Sequence, residues 1–224
     1  KICIIGCGLI GSSLARAIKK NNLAEKIVSS NRSESLNKKV IELKIVDSSS
    51  SDTKKMTEGS DLIVIATPLS SYQDVILKIK DSLKNGAILT DVGSVKENII
   101  NLVEKNIPEN VSWIPSHPIA GTEESGPEAG FSELFKNRWC ILTPSKKAKE
   151  KDINLLKTFW EKLGSKVDIM EVKQHDYILS ITSHLPHLIA YNIVKTSLDT
   201  QDEKRSSIVK YSAGGLRDFT RIAA

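Results

Sequence analysis

The chain is short of the features that would send it into a membrane or out of the cell. None of its apolar runs approaches the ~18 residues needed to span a bilayer. Its start, Lys1-Ile2-Cys3-Ile4-Ile5, runs straight into glycines and lacks the charged, apolar and small-residue order of a secretory leader. Cysteine is scarce. Cys3, Cys7 and Cys140 form no Cys-x-x-Cys pair, and an odd count without a secretion signal predicts reduced thiols. The 4 histidines lack zinc-type spacing, so no metal site is expected. These shortages together point to the cytoplasm. A large excess of one charge is also missing: the formal net charge is +5, and lysines alternate with acids between Lys146 and Lys157. That pattern reads as a solvated helix face, so neither nucleic acid nor membrane is expected as a partner. A modest positive field remains to draw in an anionic small molecule.

What is present suits a soluble globular protein. The 224 residues are 40% hydrophobic, enough for one large domain or two modest ones. The first apolar run, Lys1 to Ile5, reads as a buried parallel strand. Gly6-Cys7-Gly8-Leu9-Ile10-Gly11 follows at once, and Leu14, Ala15, Ala17 and Ile18 then recur at helical spacing. A glycine-rich turn between strand and helix is the context in which this pattern binds a dinucleotide. Gly6 permits the tight turn, Gly8 lets the backbone approach a pyrophosphate, and Gly11 lets helix pack on strand. The helix N-terminus offers free N–H groups to the phosphates.

Strands are expected again at Lys26–Ser30, Leu62–Ala66 and Ala87–Asp91, with a helix at Tyr72–Leu83 and Ser112–Pro115 leading to His117. Such alternation predicts a mostly parallel, doubly wound sheet of the Rossmann type, with ligands beyond the carboxyl ends of the strands. The glycine turn, Asn31-Arg32-Ser33, Thr67-Pro68, Gly93-Ser94 and His117 are expected just after strands and so along one edge. Ser48 to Ser51 reads as a low-complexity loop with no function. At Asn31, NAD-selective sites usually carry an acid on the ribose 2′-hydroxyl. Its absence removes repulsion against a 2′-phosphate, and Arg32 can pair with one, which favours NADP+ over NAD+. The other reading makes Arg32 an ordinary surface arginine in an NAD+ site.

His117-Pro118-Ile119-Ala120-Gly121-Thr122-Glu123-Glu124-Ser125-Gly126 places a histidine and two carboxylates in an expected glycine-rich turn. Histidine titrates near neutral pH and suits proton abstraction. A structural loop with an incidental histidine is the plainer alternative. Beyond it, Lys147 to Leu163 has helical spacing with Gly164 as its stop, and Lys166 to Met170 reads as the last strand of the first domain. A long helical pattern runs from Gln174 to Leu198, bent near Thr182 by Pro186. His184 and His187, three apart, flank the bend and suggest a site; histidines satisfied in a helix interface are the alternative. Gly214-Gly215 precedes Arg217 and Arg221, four apart, which suit a carboxylate or a solvated face equally. The expected division is a Rossmann-type α/β domain over 1–171 and an all-α domain over 172–224. The stop at Ala224 without a cap, and the absent starting Met, suggest that the natural protein is longer.

Five motifs carry a resemblance over essentially the whole chain. They are Gly6-x-Gly8-Leu9-Ile10-Gly11-x-Ser13, Asp91-x-Gly93-Ser94-Val95-Lys96, His117-Pro118-Ile119-Ala120-Gly121-x-Glu123-x-Ser125-Gly126, Ser183-His184-Leu185-Pro186-His187 and Gly214-Gly215-x-x-Asp218-Phe219-Thr220-Arg221-Ile222-Ala223. Together they resemble the prephenate/arogenate dehydrogenases of tyrosine biosynthesis. The chain departs from that family in lacking its usual acid at Asn31 and in stopping before its remaining dimerisation helices. The resemblance implies oxidative decarboxylation of a cyclohexadienol, with hydride transfer to NAD(P)+, loss of carbon dioxide and aromatisation. It implies His117 as the base on the hydroxyl, with Ser94 bonding the same region and orienting His117. It assigns the substrate to His187 and Arg221 with His184 nearby, and pocket ordering to Glu123. It implies a homodimer and no metal.

Prephenate and arogenate are not separated by these residues. A β-hydroxyacid dehydrogenase would be expected to carry a catalytic lysine on the long helix, where this chain has His184 and His187, with Lys195 well past them. A nucleotide-sensing regulatory domain would bind cofactor without turnover and would need no base.

Overall fold

The computed structural model describes residues 1–199, 207–208 and 210–221. It divides into two compact units, Lys1–His175 and Asp176–Ala224. In the first unit a six-stranded, all-parallel sheet has the order β3-β2-β1-β4-β5-β6. Its strands are β1 (Ile2–Ile5), β2 (Ile27–Ser30), β3 (Ser48–Ser50), β4 (Leu62–Ile65), β5 (Ile88–Asp91) and β6 (Ser112–Trp113). Helices α1 (Leu9–Lys20), α2 (Glu34–Glu42), α3 (Thr53–Thr57), α4 (Tyr72–Ile79) and α5 (Glu97–Glu104) connect them.

The apolar runs form strands here because both faces of the sheet are covered. Successive side chains of a strand point to opposite faces. Ile2 and Ile4 of β1, and Leu62 and Val64 of β4, join one buried cluster that includes Leu14, Ile18, Leu156 and Trp160. Cys3 and Ile5, with Ile63 and Ile65, join a second cluster with Tyr72, Ile76, Ile79 and Val103. This is the doubly wound arrangement that the alternation predicts.

Two local expectations are corrected. Ser48–Ser50 is not a loop but the edge strand β3, paired in parallel with β2. Serine has little strand propensity, but here main-chain pairing is supplemented by a hydroxyl contact, Ser29 Oγ to Ser49 Oγ at 2.7 Å. His117 lies inside a strand rather than in a turn after one. β7 (Ser116–Pro118) pairs antiparallel with β8 (Trp139–Leu142), which pairs in parallel with β9 (Lys166–Ile169), making a separate three-stranded sheet. The expected strand at Lys166 therefore belongs to this second sheet. Helix α6 (Glu150–Lys162) precedes β9 and ends before Gly164, whose φ of +92° supplies the left-handed conformation of the helix stop.

The long helical pattern is interrupted as Pro186 demands. α7 (Val172–Leu179) passes into a π-helical turn, Ser180–His184, and then into α8 (Leu185–Leu198), with Pro186 in the first turn of α8. Proline cannot donate to the carbonyl one turn back, and the wider turn absorbs the mismatch. α9 (Gly214–Thr220) is the last element among the described residues. Ile222 and Ala223 of the final motif lie outside the described residues.

Candidate active site

The register brings four strand ends level. Ile5 is paired with Ser30 and Ile65, and Ile65 with Asp91. The segments after them, Gly6–Gly11, Asn31–Ser33, Thr67–Pro68 and Gly93–Ser94, therefore open from one edge, as predicted. Gly6 has a φ of +95°, and a Cβ on Gly11 would stand 2.0 Å from the Gly6 carbonyl oxygen. Nothing lies within 4 Å of a Cβ built on Gly8. The turn is thus tight where helix meets strand and open where a pyrophosphate would approach. Leu9 and Ile10 begin α1 and present its first amide groups. These features fit a dinucleotide.

Asn31 is buried at 4% exposure, and its carboxamide is turned inward. Its Oδ1 accepts the Cys7 N–H at 2.6 Å, and its Nδ2 donates to Asn37 Oδ1 at 3.1 Å and Ser49 Oγ at 3.2 Å. The side chain that replaces the usual acid thus braces the glycine turn against β3 and α2. Arg32 beside it is exposed, and Ser33 caps α2 by accepting the Leu36 N–H at 3.4 Å. On the next strand end, Thr67 accepts a hydrogen bond from Ser71 at 2.8 Å, and so does the Pro68 carbonyl.

His117 is 8% exposed, and its Nδ1 lies 2.8 Å from Nε2 of His175, a fully buried residue of α7. The sequence reading missed His175. Where His117 donates from Nδ1, its Nε2 keeps the basic lone pair; where His175 donates instead, the proton of His117 sits on Nε2, so the contact couples the tautomers of the two rings. When Nε2 takes a proton, the Nδ1–H bond to a neutral His175 becomes charge-assisted and steadies the imidazolium. In the first arrangement the pair is able to hold a proton transiently at His117.

Glu123 is exposed in the loop after β7. That loop is strapped to α1 further on: Arg16 donates to the Pro127 carbonyl at 3.3 Å, and the Phe131 N–H to Ser13 Oγ at 3.1 Å. Ser94 is exposed in the turn after β5. Gly93 there donates its N–H to Asp91 Oδ2 at 2.8 Å.

The second unit carries the remaining predicted residues. His187 on α8 is exposed and donates from Nδ1 to the Ser183 carbonyl at 2.7 Å, which turns Nε2 outward. His184 ends the π-helical turn, and its Nε2 is buried with no hydrogen-bond partner. Arg221 is exposed at the C-terminal end of α9. Among the described residues no group of three acidic, histidine or cysteine side chains could hold a metal, and no helix is long and apolar enough to cross a membrane.

Burial pushes the thiols of Cys3 and Cys7 up, to about 12 and about 11, and raises Cys140 likewise. None of them has the electropositive, open setting of a reactive cysteine.

A glycine turn on an open parallel sheet, with a histidine pair inside the same unit, defines a dinucleotide-dependent oxidoreductase. Residues 14–169 match the family described as prephenate dehydrogenase, nucleotide-binding domain, and residues 171–224 match prephenate dehydrogenase, dimerization domain. The chain belongs to the prephenate dehydrogenase family of NAD(P)-dependent oxidoreductases. It is 37% identical to a cyclohexadienyl dehydrogenase of Zymomonas mobilis, covering all of this chain and 76% of that protein. It is 30% identical to a prephenate dehydrogenase of Bacillus subtilis, again over the whole chain but over 60% of that protein. A crystal structure of the A. aeolicus prephenate dehydrogenase with hydroxyphenyl propionate and NAD+ superposes with a TM-score of 0.90 at 31% identity, over 99% of this chain and 77% of that one.

Proposed function

We propose that this chain carries out the oxidative decarboxylation of prephenate to 4-hydroxyphenylpyruvate. The observation that carries the reading is the buried His117–His175 contact at 2.8 Å within the unit that holds the glycine turn, an arrangement that suits His117 as a base. Gly6, Gly8, Leu9, Ile10 and Gly11 would hold the pyrophosphate, with Asn31, Arg32, Ser33, Thr67 and Pro68 around the adenosine and ribose. When bound, the nicotinamide supplies the hydride acceptor. His117 takes the proton of the substrate hydroxyl, which pushes the hydride from the same ring carbon. Ser94 bonds the same hydroxyl region and helps orient His117. His187 and Arg221 are assigned the anionic groups of the substrate, with His184 nearby, and Glu123 orders the pocket. Aromatisation supplies the driving force, so the protein chiefly positions and polarises.

Arogenate is the second substrate reading. It is favoured by similarity to the Zymomonas mobilis cyclohexadienyl dehydrogenase and, at 26% identity, to the Synechocystis arogenate dehydrogenase. With either substrate NADP+ is the favoured cofactor, because the neutral Asn31 faces inward and the exposed Arg32 is left for a 2′-phosphate. We assign a homodimer, supported by the match to a dimerization domain and by the exposed Leu185, Leu188 and Ile189 of α8.

The test is nicotinamide reduction, followed by absorbance at neutral pH, with prephenate or arogenate, each with NAD+ or NADP+. Turnover in one combination names substrate and cofactor together. Cofactor binding without turnover in all four makes the protein a sensor or directs it to another hydroxyacid.

A further inference from the structure

Asp91 and Lys96 form an ion pair with both side chains at 0% exposure. Lys96 Nζ donates to Asp91 Oδ1 at 2.8 Å and Oδ2 at 2.7 Å. Stability alone is a weak reason for such a pair, since desolvation of two charges can cancel their attraction. What distinguishes this one is where its remaining bonds go.

The pairing of β6 with β5 ends with the Ile114 N–H on the Leu89 carbonyl, at 3.0 Å. Pro115 follows and has no N–H to offer. The next amide on that side of the chain, at Ser116, finds a side chain instead of a strand. Its N–H donates to Asp91 Oδ1 at 3.2 Å, and its carbonyl accepts from Lys96 Nζ at 2.6 Å. The pair thus continues the sheet by one residue while the chain turns away into β7. The Ser116 hydroxyl is held as well, 2.6 Å from Thr90 Oγ1 and 3.2 Å from the donating Trp160 Nε1. The residue that follows is His117. The same carboxylate accepts the Gly93 N–H at 2.8 Å, one residue before Ser94, and the Tyr72 hydroxyl at 2.9 Å. A Cβ on Gly93 would stand 2.8 Å from Asp91 Oδ2, so the approach needs glycine.

We propose that the Asp91–Lys96 pair is a positioning device that holds the His117 strand and the Ser94 turn in one frame. The inference rests on the reading of His117 as the base. Neither residue touches substrate; both act through the main chain of Ser116 and Gly93.

The experiment compares Asp91→Asn, Lys96→Met and the double variant, measuring kcat, both KM values and the thermal midpoint on the same preparations. Each single variant leaves one buried charge unpaired and is expected to lose both stability and turnover. The double variant removes both charges. Its midpoint is expected to return to within about 3 °C of the parent, since a neutral replacement of a buried pair is often tolerated. Its kcat is expected to stay roughly 10- to 100-fold down, the scale of a displaced catalytic group, with KM for the cofactor changed less than about threefold. A double variant that regains kcat together with its midpoint overturns the proposal and leaves the pair structural. If the double variant does not fold, Tyr72→Phe decides: it keeps both ions and deletes one donor to Asp91. A kcat about 3- to 10-fold lower at unchanged cofactor KM supports the proposal, and an unchanged kcat overturns it. A parent inactive with both prephenate and arogenate overturns the functional reading and this inference with it, whereas an active parent isolates the inference.

Discussion

Asn31→Asp restores the acid that NAD-selective relatives of this fold usually carry, and the structure sets its consequences. The new carboxylate keeps the Cys7 N–H, which Asn31 Oδ1 accepts at 2.6 Å. It loses the amide donor that now serves Asn37 Oδ1 at 3.1 Å, Ser49 Oγ at 3.2 Å and Ser29 Oγ at 3.4 Å. The Ser29 hydroxyl can turn and donate, but Ser49 can do so only by giving up its bond to Asn37 Oδ1 at 2.7 Å. Asn37 cannot flip, because its Nδ2 donates to the Asn31 carbonyl at 3.0 Å and its Oδ1 accepts the Asn31 N–H at 3.1 Å. Two acceptors are left facing each other in a buried place, at a cost of about 1–3 kcal/mol. For a chain of this size that lowers the melting midpoint by roughly 3–10 °C. If the site takes NADP+, as proposed, the charge also faces the 2′-phosphate. Two like charges ~6 Å apart at an effective dielectric near 20 repel by about 3 kcal/mol, and Arg32 offsets part of it. The ratio of kcat/KM for NADP+ to that for NAD+ should fall by roughly 10- to 100-fold. Initial rates with each cofactor, alongside a thermal melt, measure both effects. A folded variant whose cofactor ratio equals the parent's would refute the placement of the 2′-phosphate beside residue 31.

His117→Asn is expected to keep substrate KM near the parent's while turnover drops about 100-fold or more, and equal turnover would remove His117 as the base. Arg221→Ala should raise substrate KM with little change in cofactor KM; steady-state kinetics separate the two. In the native protein all three thiols should resist a disulfide reagent at pH 8 and react once unfolded, because burial holds them protonated. The sign follows for stability. Thiol pKa values raised in the fold, to about 11 and about 12 for Cys7 and Cys3, leave stability intact below pH ~9 and erode it as pH rises from there toward those values, as melts across that range would report. Gly130→Ala places a Cβ 2.2 Å from Ser12 Oγ and 3.0 Å from the Ser13 nitrogen, so it should loosen the strap over α1 and raise cofactor KM.

The parts of the fold that were legible in the sequence are those whose pattern is set by burial. Ile2–Ile5 and Leu62–Ile65 read as strands because every residue is apolar, and alternate residues do feed two different clusters. The glycine turn was legible because its spacing answers steric needs that the chain meets locally. β3 was not, since its serines pair through main chain and hydroxyls, neither of which leaves an apolar period. β7 and β8 were missed because three or four residues give too little alternation to separate a strand from a turn, and so His117 was expected in a turn rather than inside a strand.

His175 is the instructive omission. Its contact with His117 spans 58 residues, and no local pattern encodes a contact of that range. One signal was available. Leu179, four residues on and on the same helical face, is buried, so His175 occupies a core position of α7. A polar side chain at an apolar position must find a partner or cost free energy, and a ring that titrates near neutrality is a poor filler for a core. The same logic applies to Asp91 and Lys96: an acid ending an apolar strand, with a lysine five residues on, is a buried charge in search of its pair. Such residues were the ones to follow, because His175, Asp91 and Lys96 are each bonded to the strand or turn that carries His117 and Ser94.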